Sequence, residues 1–309
     1  EEVLQSLGVK DGSDVSVSLT DKPESVKHIY DKLNGKTLDY TELYHIIEDI
    51  VHDRLTDIEK TYFVAAGYLQ RFTTPEVVDL TKAMVRTGNH IHFDEFTLDK
   101  HSIGGVPGNR TTMIIVPIVT AAGLFMPKTS SRAITSPAGT ADTMEVLAKV
   151  ELSESRVRQV VRQVGGCIIW GGTMNLAPAD DKIITVEHPL SIDAEGQLLA
   201  SVMSKKASVS ANAVLIDIPM GKRVKVKHEK EARRLAKMFI LIGRKLKIKV
   251  RVIVTDGRQP IGNGIGPVLE ARDVMKVLRN DPDAPPDLRE KCLRMAGTLL
   301  GMAKKAANG

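Results

Sequence analysis

Apolar residues recur every three to four positions through the first third of the chain, which is the spacing of helices that bury one face. Four such helices are predicted, and their starts are marked by Pro23, Thr41, Thr56 and Thr74. Glu59 follows Thr56 at the spacing of a capping box, and Gly35 and Gly88 end the first and the fourth helix. Residues 21–90 are therefore predicted to form an all-helical lobe.

The segment before this lobe has a different period. Val15, Val17 and Leu19 alternate with polar residues, and this alternation predicts a short strand. The chain opens without Met and in the middle of a pattern, so residues 1–20 are interpreted as the remnant of an N-terminal domain or a linker.

After residue 90 the pattern changes to short apolar runs that alternate with helical segments. Such alternation predicts an α/β unit with a mostly parallel sheet. The predicted strands lie at Cys167–Trp170, Val214–Ile218 and Lys247–Thr255. The predicted helices lie at Thr140–Ala148, Ser153–Val164, Glu229–Leu241 and Pro267–Arg279. Thr111–Ala122 stays open, because its β-branched residues and Pro117 favour a broken strand whereas its place after a glycine-rich loop favours a helix.

Composition narrows the class of protein. Hydrophobic residues make up 42% and charged residues 26%, which is typical of a soluble globular protein. Aromatic residues make up only 4%, which argues against a protein that binds nucleic acid by stacking bases. The net charge of +5 suits small anionic substrates. No membrane span or signal peptide is recognised, and Cys167 and Cys292 are interpreted as reduced thiols of a cytoplasmic protein.

The segment from Asp99 to Thr112 combines glycines, hydroxyls and a cation. It reads DKHSIGGVPGNRTT, and its three glycines allow the backbone to approach an anion closely. Lys100 adds positive charge, and Ser102, Thr111 and Thr112 add neutral donors. A helix that starts near Thr111 would direct its positive end at a phosphate. The segment lacks the Lys-Ser/Thr pair of a Walker loop, and an ordinary glycine loop is the alternative interpretation.

A second hydroxyl-rich segment runs from Ser130 to Glu145 and contains one arginine. Arg132 can clamp phosphate oxygens in a bidentate fashion, and Gly139 with Thr140 opens a helix whose first amides suit an anion. A capped helix behind a Ser/Thr-rich loop is the alternative. Because the chain contains two such segments, anion binding is the favoured interpretation.

The second segment resembles the signature of the thymidine and pyrimidine-nucleoside phosphorylase family, which reads Ser, a small residue, Arg and then Gly-Thr-x-Asp-x-x-Glu. Lys100 to Gly105 is similar to the phosphate loop of that family. The archaeal AMP phosphorylase branch is closer still, on the segments KHSIGGVPGNRTT, SSRAITSPAGTADTMEVL, WGGTMNLAPADD and SIDAEGQLLASVMSKK. The resemblance runs from about residue 21 to the C-terminus.

The resemblance implies a small helical lobe, residues 21–90 and about 176–208, that faces a larger α/β lobe, residues 91–175 and 209–309, across a cleft. The family's C-terminal domain is expected to be absent. The implied reaction is phosphorolysis of AMP to adenine and ribose 1,5-bisphosphate by a pentosyltransferase of nucleotide salvage or degradation, with CMP and UMP as further substrates. Inorganic phosphate is then a co-substrate, no cofactor is implied, and the implied assembly is a homodimer or larger homo-oligomer formed through the helical lobe.

The resemblance also assigns residues to roles. The implied phosphate ligands are Lys100, Ser102, Thr112, Ser130 and Thr140. The implied nucleotide contacts are Gly105, Ser131, Arg132, Ala133, Ile134, Thr135, Ser136, Thr140, Ser201 and Lys225. Asp193 would protonate the departing purine, which requires a carboxylic acid with a pKa raised towards neutrality. From the residues alone, an N-terminal helix cap is the alternative for Asp193.

One departure from the family bears on the base. The pyrimidine enzymes place an arginine against the base near the segment that here reads Ile184–His188, and this segment contains no arginine. The departure favours the AMP branch, in which Arg110 and Lys225 are candidate ligands of a 5′-phosphate. Ser201 and Lys205 stand where the resemblance implies a Ser and a Lys against the base, and a solvated charge pair of Lys205 and Lys206 is the alternative.

Three alternatives stay open: a phosphorylase of thymidine or uridine, a phosphoribosyltransferase of the anthranilate type, and a non-catalytic fragment that binds nucleotide. The second would require acidic ligands for Mg²⁺, and the sequence analysis recognises no suitable acidic pair. It also recognises no metal triad among the His and Asp residues. The glycine-rich run Asp256–Gly266 does not match dinucleotide-binding spacing and is interpreted as a turn that lines the cleft.

Overall fold

The structure is a computed structural model that describes residues 4, 7–19, 21–133, 137–190 and 194–305. Within these ranges it consists of a helical bundle and an α/β domain with parallel strands. The predicted strand at 15–19 is wrong, because the described residues 13–19 carry no regular secondary structure. Val17 and Leu19 are exposed there, so their alternation buries no face against another element.

The bundle begins with helices α1 (Glu24–Leu33), α2 (Tyr40–Val51), α3 (Asp57–Leu69) and α4 (Thr74–Arg86). Four helices were predicted here, and the capping box of Thr56 and Glu59 at the start of α3 is confirmed. The predicted cap at Thr41 is wrong, since α2 is capped by the side chain of Asp39, which accepts a hydrogen bond from the amide of Glu42. Asp39 precedes the helix and offers a carboxylate at the capping-box spacing from Glu42, so it takes the role.

Two later helices complete the bundle. They are α8 (Pro178–Leu190) and α9 (Glu195–Ser208). α9 packs along α4, and α8 packs across α2 and α3. Gly196 on α9 allows the close approach, because a Cβ there would lie 2.9 Å from Cβ of Phe72. One side of α9 is thereby fixed against the bundle, and its other side is available to the α/β domain.

The α/β domain contains the remaining regular elements. Its strands are β1 (Leu98–Ser102), β2 (Met126–Ser130), β3 (Gly166–Trp170), β4 (Ala213–Met220) and β5 (Lys249–Asp256). Its helices are α5 (Thr111–Ala121), α6 (Thr140–Glu145), α7 (Glu154–Val164), α10 (Glu229–Lys245), α11 (Pro267–Arg279) and α12 (Pro286–Met302). A short 3₁₀ helix, Gly171–Met174, follows β3. The three predicted strands and four predicted helices are confirmed, whereas β1, β2 and α12 were not predicted.

The strands form two small sheets that meet near the starts of β1 and β2. One sheet has the order β1-β4-β5 and the other pairs β2 with β3, and all of these pairs are parallel. A bridge between Thr97 and Phe125 joins the two sheets just before β1 and β2 begin. The amide of Leu98 also donates a hydrogen bond to the carbonyl of Phe125 at 2.8 Å. The mostly parallel sheet expected from the sequence is therefore confirmed.

β4 is buried on both faces, and its sequence is apolar except for Asp217. Val214, Ile216 and Ile218 belong to the core that includes α10 and the bundle. Ala213 and Leu215 point the other way and belong to a core with α5 and α12. A central parallel strand covered by helices on both faces requires such a run.

The ambiguous segment Thr111–Ala122 forms helix α5, which contains Pro117. Its residues from Thr111 to Val116 are all buried, between the strands and α12. The first half of this helix is buried on all sides and so lacks separate polar and apolar faces, which makes its sequence resemble a strand. Within the described ranges, none of the helices combines the length and the apolar character that crossing a bilayer requires.

Candidate anion and nucleotide site

A cavity of about 530 Å³ lies where the carboxyl ends of β1 and β2 face helices α8 and α9 of the bundle. This volume is typical of a pocket for a small ligand. Ten residues that the sequence analysis assigned to substrates line it: Lys100, Ser102, Gly105, Thr112, Ser130, Ser131, Arg132, Thr140, Ser201 and Lys225. The structure therefore brings both hydroxyl-rich segments to one place.

Lys100 and Ser102 stand two residues apart at the end of β1, so their side chains leave the strand on the same face. Lys100 is 2% exposed, and its Nζ donates a hydrogen bond to Oγ1 of Thr111 at 2.6 Å. Burial lowers the pKa of Lys100 to about 8, although Asp217 opposes the shift. An ammonium held at low hydration beside the start of α5 is suited to bind an anion.

Ser102 is oriented by a network of polar side chains behind the cavity. Its Oγ donates to Oδ2 of Asp217 at 2.9 Å and accepts a hydrogen bond from Nδ2 of Asn109 at 3.0 Å. Burial alone would raise the pKa of Asp217, but Lys291 and Lys100 outweigh it and hold the pKa below its usual value. Lys291 Nζ lies 3.0 Å from Oδ2 of Asp217. The charged carboxylate therefore fixes the hydroxyl of Ser102 in one orientation.

Ser130 and Thr140 bring the second segment to the cavity. Ser130 ends β2, and its Oγ donates to the carbonyl of Ile169 on β3 at 3.0 Å. Thr140 is the first residue of α6, and its Oγ1 accepts a hydrogen bond from Nη1 of Arg110 at 3.0 Å. Both hydroxyl oxygens keep a lone pair or a proton for a ligand.

Arg110 supports this site from behind, and the structure argues against the predicted role as a 5′-phosphate ligand. It is 5% exposed, and Nε forms an ion pair with Glu270, which is 1% exposed. Its Nη2 donates to the carbonyl of Ala138 at 2.7 Å. With Thr140 as the third partner, each nitrogen of the guanidinium already has an acceptor in the protein.

Arg132 lines the cavity, but its guanidinium is also bound to carboxylates. Its nitrogens contact Asp142 at 3.3 Å, Glu145 at 2.7 Å and Glu151 at 2.9 Å. The hydrogen bonds that Arg132 donates to Glu145 and Glu151 raise its pKa. The guanidinium also lies over the ring of Trp170, 4.9 Å from its centroid. A phosphate would therefore compete with three carboxylates for the bidentate clamp that the sequence predicted.

Buried cations near the cavity were missed by sequence reasoning. Burial and the neighbouring Lys206 lower the pKa of Lys128 to about 7. Lys206 is buried rather than solvated, because its Nζ pairs with Oδ2 of Asp99 at 2.9 Å. Burial lowers the pKa of His101 well below its usual value, and the positive charges of Lys206 and Lys128 lower it further. The ring of His101 is therefore neutral at pH 7. Lys128 precedes Ser130 by two residues and so faces the same side of β2, but this strand was not predicted from the sequence.

The bundle contributes the opposite wall. Ser201, Lys205, Asp180 and Asp181 line it from α9 and α8. Lys205 Nζ pairs with Oδ2 of Asp180 at 2.5 Å, so the predicted solvated pair of Lys205 and Lys206 is wrong. Burial would lower the pKa of Lys205, but Asp180 outweighs it and raises the pKa. Asp180 and Asp181 lie side by side on this wall, and the Asp180 carboxylate is already paired with Lys205.

Five predicted residues are not part of the described cavity wall. Asp193, Ile134, Thr135 and Ser136 lie outside the described residues. Ala133 is absent from the described cavity wall, and its amide donates to Oδ2 of Asp142 at 2.7 Å.

The glycine-rich run Asp256–Gly266 does not contribute to the described cavity wall, so its predicted place in the cleft is wrong. It packs against the first glycine loop instead, and the amide of Ile261 donates to the carbonyl of Pro107 at 3.0 Å. Gly108 is required there, because its φ is +73° and a Cβ would lie 1.9 Å from the carbonyl oxygen of Ile261.

Both cysteines are thiols, as expected from the sequence. Cys292 is buried next to α5, and Cys167 is partly buried on β3. Burial raises the pKa of each thiol to about 12. Neither is activated as a nucleophile at neutral pH.

The sequence of the whole chain is similar to those of several named proteins. The chain is 49% identical over 306 residues to "Putative thymidine phosphorylase" of Legionella pneumophila (strain Paris), covering 99% of this chain and 59% of the relative. It is 51% identical over 304 residues to "AMP phosphorylase 1" of Archaeoglobus fulgidus, covering 98% of this chain and 60% of the relative. The chain thus spans about three fifths of the length of these relatives.

A solved structure with a similar fold is anthranilate phosphoribosyltransferase from Thermus thermophilus, with a TM-score of 0.74 over 91% of this chain and 90% of the other. At 17% identity this likeness concerns the fold alone. Two family models match the chain: the helical bundle domain of the glycosyl transferase family at residues 26–88 and its a/b domain at residues 94–308. The chain therefore belongs to the glycosyl transferase family whose members combine these two domains.

Proposed function

We propose that this chain carries the active site of a phosphorylase that splits the N-glycosidic bond of AMP with inorganic phosphate. The products would be adenine and ribose 1,5-bisphosphate, and CMP and UMP are further candidate substrates. The observation that carries the proposal is the meeting of Lys100, Ser102, Thr112, Ser130 and Thr140 around one cavity. These residues belong to two hydroxyl-rich segments that are separate in sequence, and together they offer one cation and four hydroxyls to an oxyanion.

The arrangement fits the needs of phosphorolysis. The attacking phosphate must be held in line with the anomeric carbon, and its negative charge stabilises the cationic character that develops on the sugar. Buried Lys100 and the start of α5 supply a fixed positive field for that phosphate. The phosphate is a co-substrate, so the proposed reaction requires no cofactor.

The departing base needs a proton donor, and we propose Asp193 for this role. Asp193 immediately precedes Ala194, which caps α9 and lines the cavity. Ala194 lies on the same wall of the cavity as Ser201. A carboxylic acid there would donate to the purine as the glycosidic bond breaks.

Two observations favour a nucleotide over a pyrimidine nucleoside. Ile184 and Glu187 line the cavity. They belong to the segment in which the resemblance implies an arginine for the pyrimidine enzymes, and this segment contains none. Lys225 lines it beside Gly105, whose added Cβ would lie 3.4 Å from the amide nitrogen of Lys225. A lysine at this position is suited to a 5′-phosphate, which a nucleoside lacks.

Thymidine phosphorolysis is the second candidate, because a relative with that name is 49% identical over nearly the whole chain. A Mg²⁺-dependent phosphoribosyl transfer is less well supported. It would need free carboxylates, and the Asp180 carboxylate is paired with Lys205 at 2.5 Å.

The deciding experiment measures release of free base by the purified chain from AMP and from thymidine, each with and without inorganic phosphate. We expect phosphate-dependent release of adenine and at most weak release of thymine. In Lys100→Met, added phosphate should no longer cause release of adenine. Preferential release of thymine would instead support the second candidate. If AMP binds in equilibrium dialysis but no base is released, the chain is a nucleotide-binding fragment and the proposed activity is refuted for it.

The proposed enzyme is expected to act as a homodimer or larger homo-oligomer formed through the bundle. Helix α3 offers exposed Ile58, Tyr62 and Leu69 for such a contact, and α1 adds exposed Tyr30 next to it. Sedimentation equilibrium of the purified chain measures the assembly directly, and a monomer at all concentrations would contradict this part of the proposal.

A further inference from the structure

Two histidines and a glutamate lie together on the first two helices of the bundle. Glu24 and His28 stand four residues apart and share one face of α1, and His45 faces them from α2. One ligand atom of each residue lies within 4.8 Å of the ligand atoms of the other two. The two imidazole rings are stacked, with their centroids 5.8 Å apart. This cluster is called the Glu24–His28–His45 cluster below.

The histidines of this cluster have unusual surroundings for buried polar groups. His28 is 6% exposed, and neither of its ring nitrogens forms a hydrogen bond with any described residue. Nδ1 of His45 is buried and also has no hydrogen-bond partner in the part of the chain that the structure describes. A buried nitrogen without a partner is unfavourable, and a bound ion is one way in which proteins satisfy it.

The carboxylate of Glu24 is available, whereas two neighbouring carboxylates are already bound. Asp31 and Glu42 also lie within ligand distance of His28. Lys36 Nζ pairs with Glu42 at 2.6 Å and with Asp31 at 3.4 Å. Glu24 is exposed on the first turn of α1, and no hydrogen bond or ion pair joins its side chain to the described residues. An ion could reach the cluster from solvent on the side of Glu24.

We propose that the Glu24–His28–His45 cluster binds a divalent transition-metal ion of the zinc class. Imidazole nitrogen is a preferred ligand for zinc and for its neighbours in the first transition row, and it is a poor ligand for Mg²⁺ or Ca²⁺. Two histidines and one carboxylate supply three ligands of a tetrahedral site, and water takes the fourth position. The ion would satisfy nitrogens of both rings and would tie α1 to α2.

The proposed metal site is independent of the proposed phosphorylase activity. None of its residues belongs to the described cavity wall, which takes its bundle residues from α4, α8, α9 and the loops between α8 and its neighbours. The ion would therefore act on the stability of the bundle. An ion that binds only the folded state raises the melting temperature, and the stabilisation grows with the logarithm of the ion concentration divided by its Kd.

Calorimetric titration of the whole chain with Zn²⁺, after removal of metals with a chelator, tests the proposal. We expect one equivalent of Zn²⁺ to bind and to raise the melting temperature. Glu24→Gln and His45→Gln should each weaken binding by at least about tenfold, because changes even in residues behind metal ligands have effects of that size. Glu24 is exposed, so its substitution tests the site without disturbing the packing of α1.

Matched controls separate the site from general effects of charge and of histidine loss. Glu290→Gln removes an exposed carboxylate on α12, and His90→Gln removes an exposed histidine outside the bundle helices. Both should bind Zn²⁺ as the unaltered chain does. Co²⁺ bound at the site should give the visible absorption of a tetrahedral complex, which Glu24→Gln should lose. Failure to bind Zn²⁺, or equal affinity in Glu24→Gln and Glu290→Gln, would overturn the proposal.

Discussion

The affinity of the cavity for inorganic phosphate is expected to fall steeply above pH 8, because Lys100 is its buried cation. Burial lowers the pKa of this amine to about 8. Below that pH the amine is charged and can bind a phosphate dianion, and above it the charge is lost. The folded pKa lies below the usual lysine value, so the loss occurs within a range that can be measured.

The size of the effect follows from the pKa. With a pKa of about 8, roughly one half of the amines are charged at pH 8, about one tenth at pH 9 and about one hundredth at pH 10. If binding requires the charged form, the apparent Kd for phosphate rises about fivefold from pH 8 to pH 9 and about tenfold over the next pH unit. Lys100→Arg keeps its charge throughout, because the guanidinium pKa exceeds about 12.

The assay is direct titration with inorganic phosphate at several pH values. Trp170 is the single tryptophan of the chain and lines the cavity, so its fluorescence offers a second readout beside calorimetry. Lys128 also loses charge near this range, since its pKa is about 7. Lys128→Met therefore serves as the control that isolates Lys100. A flat profile in the unaltered chain, or the same steep profile in Lys100→Arg, would refute the reasoning.

Three further substitutions test other parts of the structure. Lys225→Ala should raise the KM for AMP about tenfold or more and leave that for adenosine nearly unchanged, since a charge-assisted contact is lost; equal changes would contradict the proposed 5′-phosphate contact. Arg110→Met should lower the free energy of unfolding by about 3–5 kcal/mol in urea titrations, because Glu270 is left buried and unpaired, and adding Glu270→Gln should recover part of it. Gly108→Ala should destabilise the chain by at least about 1 kcal/mol more than Gly123→Ala, since both glycines have positive φ but only the first Cβ would strike a carbonyl oxygen.

The sequence predicted the bundle well because its helices are amphipathic and capped by local signals. Thr56 and Glu59 are three residues apart, so the start of α3 needs no information from elsewhere in the chain. β1 and β2 were missed because each carries a lysine at its centre, Lys100 and Lys128, and local propensity does not favour lysine in a buried strand. Pairing with β4 and β3 stabilises these strands, and such pairing is invisible to a local pattern.

The residues of the candidate site were predictable where they lie in glycine and hydroxyl motifs, and unpredictable where they act through distant contacts. Ser102 was found from its loop, but the carboxylate that orients it, Asp217, lies on β4 and is 115 residues away in sequence. Glu270, which pairs with Arg110, is 160 residues away. Such partners are brought together only by the order of the strands and helices, so a single sequence carries no direct signal for them.

The bridge between Thr97 and Phe125 joins β1 and β2 just before the two strands begin. Lys100 lies on β1 and Ser130 on β2, so the distance between their side chains depends on the angle between the strands at this bridge. Phe125 is held there by edge-to-face contact with Phe93, at a centroid distance of 5.8 Å. We therefore expect that exchange of either phenylalanine for a smaller or larger residue changes the width of the opening, and with it which oxyanion fits, without altering any ligand.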